Sequence, residues 1–285
     1  MHRTSLVLAC ALVACAKADT SADRPADTAA PVAATAAPNT VTIVAKDFAY
    51  DAPDTIPAGM TTLRLVNQGP GMHHITLVQL HEGKTFADLQ AVMKTMRPTD
   101  PPPAWMSFEG GPQPPAPGDT TAVTQQLEPG NYALLCFVDV PDHVPHFAKG
   151  MAKGLIVAPS TAAAAAPSAD VTVGMVDYSW TITPELKAGE HVIKVENSAQ
   201  QAHEFLFVKL ADGKTAEDLG RWAKDFKGPP PGVPMGGIAA IRPGATSYVH
   251  ATLPAGNYVM ICFLPDAKDG KPHVEHGMIR PFTVS

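Results

Sequence analysis

Two sets of side chains that are typical metal ligands occur in this 285-residue sequence. The first set is a histidine, a cysteine, a second histidine and a methionine: His73, Cys136, His146 and Met151. The second set repeats the residue types in the same order: His203, Cys262, His273 and Met278. A thiolate, two imidazoles and a thioether suit a transition metal rather than a hard cation such as Mg²⁺. Each set therefore indicates one mononuclear metal site.

The second histidine and the methionine of each set belong to a short motif that occurs in both copies. Residues 145–151 and residues 272–278 both read Pro-His-x3-Gly-Met. An asparagine, Asn67 or Asn197, precedes the first histidine by six positions in each copy. A buried, inert thiol is the simpler interpretation of each cysteine, because free cysteine is among the most buried residue types. Matching ligand types in two copies favour metal binding over that alternative.

These ligand sets belong to a tandem duplication that covers most of the chain. Landmarks recur in one order in both halves, among them Asp47-Phe48 with Asp177-Tyr178, Gly83-Lys84-Thr85 with Gly213-Lys214-Thr215, and Gly110-Gly111 with Gly236-Gly237. We predict one domain over residues 41–158, a linker with a five-alanine run over 159–170, and a second domain over 171–285. Two of the four cysteines precede both domains, so each domain has a single cysteine and a disulfide framework is disfavoured.

Alternating apolar residues predict that both domains consist mainly of strands, and Gly/Pro-rich turns separate these strands. One amphipathic helix per domain is indicated after Thr85 and Thr215. Each threonine has an aspartate three residues on, in the manner of a capping box. Together these patterns predict an all-β fold of two tandem Greek-key β-sandwiches, each with one inserted α-helix.

In these motifs the sequence resembles the cupredoxin family, whose blue-copper members have Asn-x5-His on one strand and Cys-xn-His-x4-Met in a closing loop. The resemblance implies a tandem, two-domain cupredoxin-like form with one copper per domain. It implies that the ligands are the two sets of four residues given above. Copper held by a thiolate, two imidazoles and a weak axial thioether changes oxidation state with little change in geometry, which favours electron transfer.

Three further histidines lie near the implied ligands. His74 adjoins His73, but successive side chains of a strand face opposite sides, and the residue that matches it is Glu204. His143 has no matching histidine in the second copy, and His276 aligns with a lysine. We therefore expect that His74 is not the shared ligand and that His143 and His276 are surface residues.

The residues beside each cysteine bear on catalysis. Copper nitrite reductases and laccases share the duplicated fold, and they pass electrons from the cysteine through an adjacent histidine to a second copper. Here the adjacent residues are Leu135 and Phe137 in the first copy and Ile261 and Phe263 in the second, and no His-x-His pair occurs. We therefore expect that the protein is not an enzyme.

The expected function is electron transfer by two mononuclear, type 1-like copper sites. The expected partner is a redox protein, or a copper donor or acceptor. Two alternatives stay open, namely copper buffering or delivery without redox turnover, and a metal-free interaction module. A two-domain copper oxidoreductase is a third, less favoured alternative. A net charge of −6 and the lack of a Lys/Arg cluster argue against nucleic acid as a partner.

The N-terminus is typical of a targeting segment. A basic start precedes an apolar run over residues 6–14 that is too short to span a bilayer. The run ends in Leu12-Val13-Ala14-Cys15, which resembles a bacterial lipobox and implies a signal peptide over residues 1–15 with a lipid on Cys15. Cleavage by ordinary signal peptidase is the alternative. Residues 16–40 then form a flexible tether. No acidic residue directly follows Cys15, which favours the outer membrane, facing the periplasm, in the bacterial cell envelope.

Overall fold

The computed structural model describes residues 36–96, 101–138, 144–224 and 226–285. These residues belong to one compact unit, Thr35–Ser285. The signal peptide, Cys15, most of the tether and His143 lie outside the described residues, so the expectations for them stay predictions. Within the described residues, no helix is both long enough and apolar enough to cross a membrane.

The first domain contains nine strands and one α-helix in the described residues. Its strands are β1 (Asn39–Lys46), β2 (Ala49–Asp51), β3 (Thr55–Pro57), β4 (Gly59–Asn67), β5 (Thr76–Leu80), β6 (Met106–Phe108), β7 (Thr120–Leu127), β8 (Gly130–Leu135) and β9 (Ala152–Ala158). Helix α1 (Phe86–Met93) follows β5, and a short 3₁₀ helix (His146–Lys149) precedes β9.

The second domain repeats this order with eight strands in the described residues. They are β10 (Val171–Val176), β11 (Ser179–Thr183), β12 (Gly189–Asn197), β13 (His203–Leu210), β14 (Gly232–Ile241), β15 (Thr246–Leu253), β16 (Gly256–Ile261) and β17 (Ile279–Val284). Helix α2 (Ala216–Trp222) follows β13, and a 3₁₀ helix (His273–His276) precedes β17.

Two sheets form a sandwich in each domain, which confirms the predicted fold class. In the first domain, β2, β1, β4 and β7 form one sheet, and β3, β9, β8, β5 and β6 form the other. In the second domain the sheets are β11-β10-β12-β15 and β14-β13-β16-β17. Alternate apolar residues of both sheets meet in one core per domain, for example Ile43 and Leu65 with Leu77 and Leu134. Burial of this surface is the main driving force for the sandwich.

The α-helix of each domain covers the outer face of the second sheet. Leu89 of α1 packs on Val78 and Leu135, and Leu219 of α2 packs on Val208 and Ile261. Both helices begin with the predicted capping box, in which the threonine hydroxyl accepts a hydrogen bond from the amide of the aspartate three residues on. The strands under the helices are thus buried on both faces.

Strand pairing across the domain boundary joins the two sandwiches. Strand β15 pairs antiparallel with β7, with Ser247 opposite Gln125, so the first sheets of both domains form one eight-stranded sheet. The segment after β6 also runs along β14, where Gly110 donates to the Ala240 carbonyl at 2.8 Å and Ala239 donates to the Gly111 carbonyl at 2.9 Å. This second pairing brings the segment that contains Gln113 to the domain boundary.

The Gly-Gly pairs that recur in both copies allow close approach to a neighbouring segment of the same domain. Gly111 and Gly237 have φ values of +119° and +139°, a region that side chains disfavour. A Cβ atom on Gly111 would lie 2.3 Å from the Ile75 carbonyl oxygen, and one on Gly237 would lie 2.1 Å from the Phe205 carbonyl oxygen. Glycine is therefore required at both positions.

Candidate metal centres

Each set of candidate ligands lies at one end of its sandwich, where strands meet loops. In the first domain, Cys136 directly follows β8, His146 begins the 3₁₀ helix, and Met151 directly precedes β9. His73 lies in the turn between β4 and β5. The second domain repeats this placement, with His203 as the first residue of β13.

The structure brings three ligand atoms together in each domain. In the His73, Cys136 and His146 set, one ligand atom from each residue lies within 4.8 Å of the other two, and the same holds for His203, Cys262 and His273. The Nδ1 atom of His146 lies 3.5 Å from the Cys136 Sγ and 3.1 Å from the His73 Nδ1. In the second domain, the His273 Nδ1 lies 3.3 Å from the Cys262 Sγ. These three residues are buried in both domains.

The methionines are held at the same places by the backbone. Met151 donates its amide hydrogen to the His146 carbonyl at 2.9 Å, and its own carbonyl accepts from the Cys136 amide at 3.3 Å. Met278 makes the equivalent pair with His273 and Cys262, at 3.0 and 3.2 Å. Both methionine side chains are fully buried in the domain cores, beside the cysteine of their own set.

The glycine of the Pro-His-x3-Gly-Met motif explains how the closing loop turns. Gly150 and Gly277 end the 3₁₀ helices in the left-handed region, with φ values of +107° and +90°. Their amide hydrogens bond back to carbonyls of the 3₁₀ helix, including that of the ligand histidine. This turn, which glycine permits, lets the histidine and the methionine approach the same cysteine.

The asparagine before the first histidine shapes the turn that carries it. Asn67 donates to the Gly71 carbonyl at 2.8 Å and accepts from the Gly69 amide at 3.0 Å. Asn197 makes the equivalent bonds, to the Gln201 carbonyl at 3.0 Å and from the Ala199 amide at 3.0 Å. The recurring Asn-x5-His spacing is therefore the spacing of one fixed turn.

An aspartate orients the first histidine of each set. The His73 Nε2 lies 3.0 Å from the Asp47 carboxylate, and the His203 Nε2 lies 2.9 Å from the Asp177 carboxylate. Since the carboxylate accepts the Nε2 hydrogen, the Nδ1 of each ring keeps its lone pair for the centre of the ligand set. The aspartate of the Asp-Phe and Asp-Tyr pairs found in the two halves of the sequence therefore bonds to the first candidate ligand of each set.

A buried histidine nitrogen without a hydrogen-bond partner is consistent with a bound metal. Among the described residues, the buried His203 Nδ1 has no hydrogen-bond partner, and a ligand atom of His203 lies within 4.8 Å of those of Cys262 and His273. A buried nitrogen left in this way costs about 1–3 kcal/mol, which a metal ligand bond would offset. A cysteine with two histidines and a nearby methionine is a soft donor set that suits copper. Each domain can therefore hold one copper ion.

Burial sets the protonation of the ligands. Burial lowers the pKa of His146 and of His273 to about 4, and repulsion from the neighbouring histidine of each set adds to this. Burial raises the pKa of the Cys136 thiol to about 11 and also raises that of Cys262. Near neutral pH the imidazoles are thus unprotonated and ready to bind, whereas each thiol must lose its proton when the metal enters.

An aromatic residue near the ligand cysteine differs between the two domains. The Tyr50 hydroxyl lies beside Cys136 and donates a hydrogen bond to the His74 carbonyl. Trp180 occupies the matching position of the second domain and packs in the core with Cys262. The surroundings of the two sulfur atoms are therefore not identical.

Two further histidines near the sites in the described part of the chain, His74 and His276, do not join the ligand sets. His276 is partly exposed, and its Nε2 lies 3.2 Å from the Asp269 carboxylate. His74 is buried, and its ring bonds to Gln113 rather than to Cys136. Gln113 also bonds to Glu204, which is likewise buried. Gln113 was not predicted from the sequence. It belongs to no motif that recurs in the second copy, where its counterpart is Ala239.

The asparagine turn, the paired histidines and the glycine-ended closing loop all meet at one end of a two-sheet sandwich, twice. Both domains are cupredoxin-like. No protein-family model matches the chain, and no curated protein matches it.

Solved structures of copper proteins are similar to this chain. An auracyanin from the photosynthetic bacterium Roseiflexus castenholzii is 25% identical, with 44% of this chain and all of that chain covered and a TM-score of 0.29. A blue copper oxidase from Nitrosomonas europaea is 17% identical, with 87% and 85% covered and a TM-score of 0.25. A copper nitrite reductase from the same organism is 15% identical, with 86% and 93% covered and a TM-score of 0.23.

The expectation that this protein is not an enzyme is wrong. The similar structures include multicopper oxidases, a laccase and copper nitrite reductases, which are enzymes. The expectation rested on the residues beside Cys136 and Cys262, which describe only one route by which an electron can leave a thiolate. A fold that carriers and enzymes share does not separate the two classes.

Proposed function

We propose that this protein transfers electrons through two mononuclear copper centres, one in each domain. Copper bound by a thiolate, two imidazoles and a thioether supplies one-electron chemistry between its two oxidation states. The observation that carries the proposal is the pair of buried Cys-His-His sets whose ligand atoms lie within 4.8 Å of one another. The proposed ligands are these six residues together with Met151 and Met278.

The rigid surroundings of each set support this function. The amide of the residue after the ligand histidine donates to the carbonyl of the cysteine, from Phe147 to Cys136 at 2.8 Å and from Val274 to Cys262 at 3.0 Å. The cysteine strand, the closing loop and the methionine are thus held by backbone bonds that do not depend on a metal. Ligands that move little between oxidation states keep the cost of electron exchange low.

An apolar surface beside the first centre supports docking of a redox partner. The Phe137 side chain is 40% exposed and directly follows Cys136 in the chain. Its ring lies 5.0 Å, between centroids, from that of Phe147, which directly follows His146. A partner that packs on these two rings would stand next to two ligand residues of the centre. The proposed partner is therefore a redox protein with an apolar face.

One experiment tests the proposed function. The copper-loaded chain is reduced and then reoxidised with ferricyanide, while its visible charge-transfer band and the number of electrons taken up per copper are recorded. We expect uptake of one electron per copper and full recovery of the band. Copper binding without such a band would instead assign copper buffering or delivery. Absence of stoichiometric binding would leave a metal-free interaction module, and steady consumption of nitrite or of a phenol would assign a catalytic oxidoreductase.

We further propose that a lipid on Cys15 anchors the chain to the bacterial envelope, at the periplasmic face of the outer membrane. The predicted tether, residues 16–40, would then link this lipid to the two domains, and its last two residues already belong to β1 (Asn39–Lys46). The predicted domains span residues 41–158 and 171–285 on either side of the linker. The variant Cys15→Ser tests the anchor by membrane fractionation. We expect its release into the soluble fraction, and retention in the membrane would contradict the anchor.

A further inference from the structure

A chain of buried polar groups connects the two ligand sets across the domain boundary. The Phe137 amide donates to the His74 Nε2 at 2.8 Å, and the His74 Nδ1 lies 3.2 Å from the Gln113 Oε1. The Gln113 Nε2 donates to the Glu204 Oε2 at 2.9 Å, and the Glu204 Oε1 accepts from the Phe263 amide at 3.1 Å. The three side chains of this bridge are His74, Gln113 and Glu204. Phe137 and Phe263 directly follow the two ligand cysteines.

The directions of the four hydrogen bonds agree with one another along the whole bridge. A backbone amide can only donate, so the His74 Nε2 accepts from Phe137 and the His74 Nδ1 carries the hydrogen that Gln113 accepts. The Gln113 amide group then donates at its other end, and the Glu204 carboxylate accepts from Gln113 and from the Phe263 amide. Every group at a junction of the bridge therefore has a partner of the right kind.

Burial argues that the bridge is more than packing. His74, Gln113 and Glu204 are only 8%, 3% and 5% exposed. A carboxylate is costly to bury, and apolar side chains of similar volume often stabilise such a boundary equally well or better. The bridge is also not a by-product of the repeat. The matched positions hold histidine in one domain and glutamate in the other, and the residue that matches Gln113 is Ala239.

We infer that this bridge carries electrons between the two copper centres, an inference that rests on the proposed function. With copper in both sites, one electron would pass from the reduced centre of one domain to the oxidised centre of the other, and no bond to a proton would be made or broken. Tunnelling through covalent and hydrogen bonds is more efficient than tunnelling through gaps. The route from the Cys136 sulfur to the Cys262 sulfur contains only covalent bonds and these four hydrogen bonds.

The bridge gives the chain a way to use one docking surface for two centres. Phe137 belongs to the exposed surface beside the first centre, and its amide is also the first donor of the bridge. An electron delivered at this surface can therefore reach the second domain without a second docking event. His74, which is not a proposed ligand, would thus connect the first centre to Gln113.

The test removes the middle of the bridge. Gln113→Leu abolishes two of the four hydrogen bonds at nearly constant volume. Gln125→Leu is the matched control, because Gln125 is also buried at the domain boundary but bonds to the Glu109 carbonyl at 2.8 Å, outside the bridge. All full-length proteins carry Met278→Leu, which removes the proposed thioether ligand of one centre and so would separate the two centres in potential. Variants Cys136→Ser and Cys262→Ser assign the two absorption bands.

A radiolytic pulse then delivers less than one electron per protein molecule. We expect a first-order redistribution between the bands whose rate does not depend on protein concentration and which is missing from both single-site variants. Gln113→Leu should slow it several-fold, and Gln125→Leu should leave it unchanged. If both bands form and both centres are reduced but the phase is absent, or is equally fast in Gln113→Leu, the inference is overturned and the proposed function stands. If no charge-transfer band forms, the proposed function itself fails.

A second readout needs no copper. In the metal-free protein, amide hydrogen exchange at Phe137 and Phe263 should be slow, and Gln113→Leu should accelerate it at both residues while Gln125→Leu does not. Unchanged protection at both amides would overturn the bridge. If Gln113→Leu does not fold, Glu204→Gln serves instead. It keeps the shape of the side chain, but its NH₂ group would face a group that can only donate, either the Gln113 Nε2 or the Phe263 amide. A redistribution rate that Glu204→Gln leaves unchanged would equally overturn the inference.

Discussion

The aspartates behind the first histidines should control copper affinity, and Asp177 gives the sharpest test. Its carboxylate lies 2.9 Å from the His203 Nε2 and holds that ring with Nδ1 toward Cys262 and His273. Removal of such a partner typically costs about 10–100-fold in metal affinity, which is about 1.4–2.7 kcal/mol. Asp177 is 35% exposed and its counterpart Asp47 is 48% exposed, so solvent screens both interactions. We therefore expect a loss of roughly tenfold for Asp177→Ala, and a smaller loss for Asp47→Ala.

The assay is competition for copper with a chromophoric chelator, in a Cys136→Ser background that leaves only the second centre. Asp47→Ala is compared with its parent in a Cys262→Ser background, which leaves only the first centre. Asp177→Asn should fall between Asp177→Ala and the parent, because an amide oxygen still accepts the Nε2 hydrogen but carries no charge. Asp170→Ala is the matched control, since the Asp170 carboxylate also binds a histidine, at 2.6 Å, but that histidine is His191, outside both centres. The reasoning is refuted if Asp177→Ala binds copper as tightly as its parent, or if Asp170→Ala weakens binding equally.

Three further predictions concern protonation and stability. Copper binding near pH 7 should release about one proton per site, because burial raises the pKa of both cysteine thiols, and a pH indicator in weak buffer measures this release. The metal-free protein should lose stability as the pH falls from 6.5 to 4, since burial lowers the pKa of His74, His146 and His273 to about 4 and the unfolded chain binds protons first. The raised pKa values of Glu204, which burial brings to about 7, and of His191 oppose this trend, whereas the lowered pKa values of His73, His203 and His250 add to it. Urea unfolding at several pH values measures the net effect. Thr215→Ala should cost about 1 kcal/mol in urea unfolding through loss of the α2 cap, and no loss would contradict the cap.

The sequence predicts the sandwich and its helix well because each depends on local patterns. Alternation at Val41 and Ile43 matches buried positions of β1, and the Thr85 cap lies where the sequence places it. The pairing of β7 with β15 could not be predicted in this way. The apolar pattern of a strand shows which of its faces is buried but does not identify the neighbouring strand.

The proximity of the candidate His and Cys ligands could be predicted because duplication marks each set twice. The same reasoning hides the bridge, since it gives weight to residues that match between the copies. His74 and Glu204 differ at matched positions, and Gln113 has an alanine as its counterpart, so repeat alignment sets all three aside. Only the three-dimensional contact between the domains shows that these unmatched residues bond to one another.

We propose that each domain holds its own copper on a cysteine thiolate. The most direct measurement is copper content together with the visible charge-transfer band, for the parent chain and for Cys136→Ser and Cys262→Ser. We predict two coppers per parent chain, and in each single variant one copper with about half of the band. Both coppers retained with an undiminished band in either variant would contradict the claim, as would a parent chain that binds copper without that band.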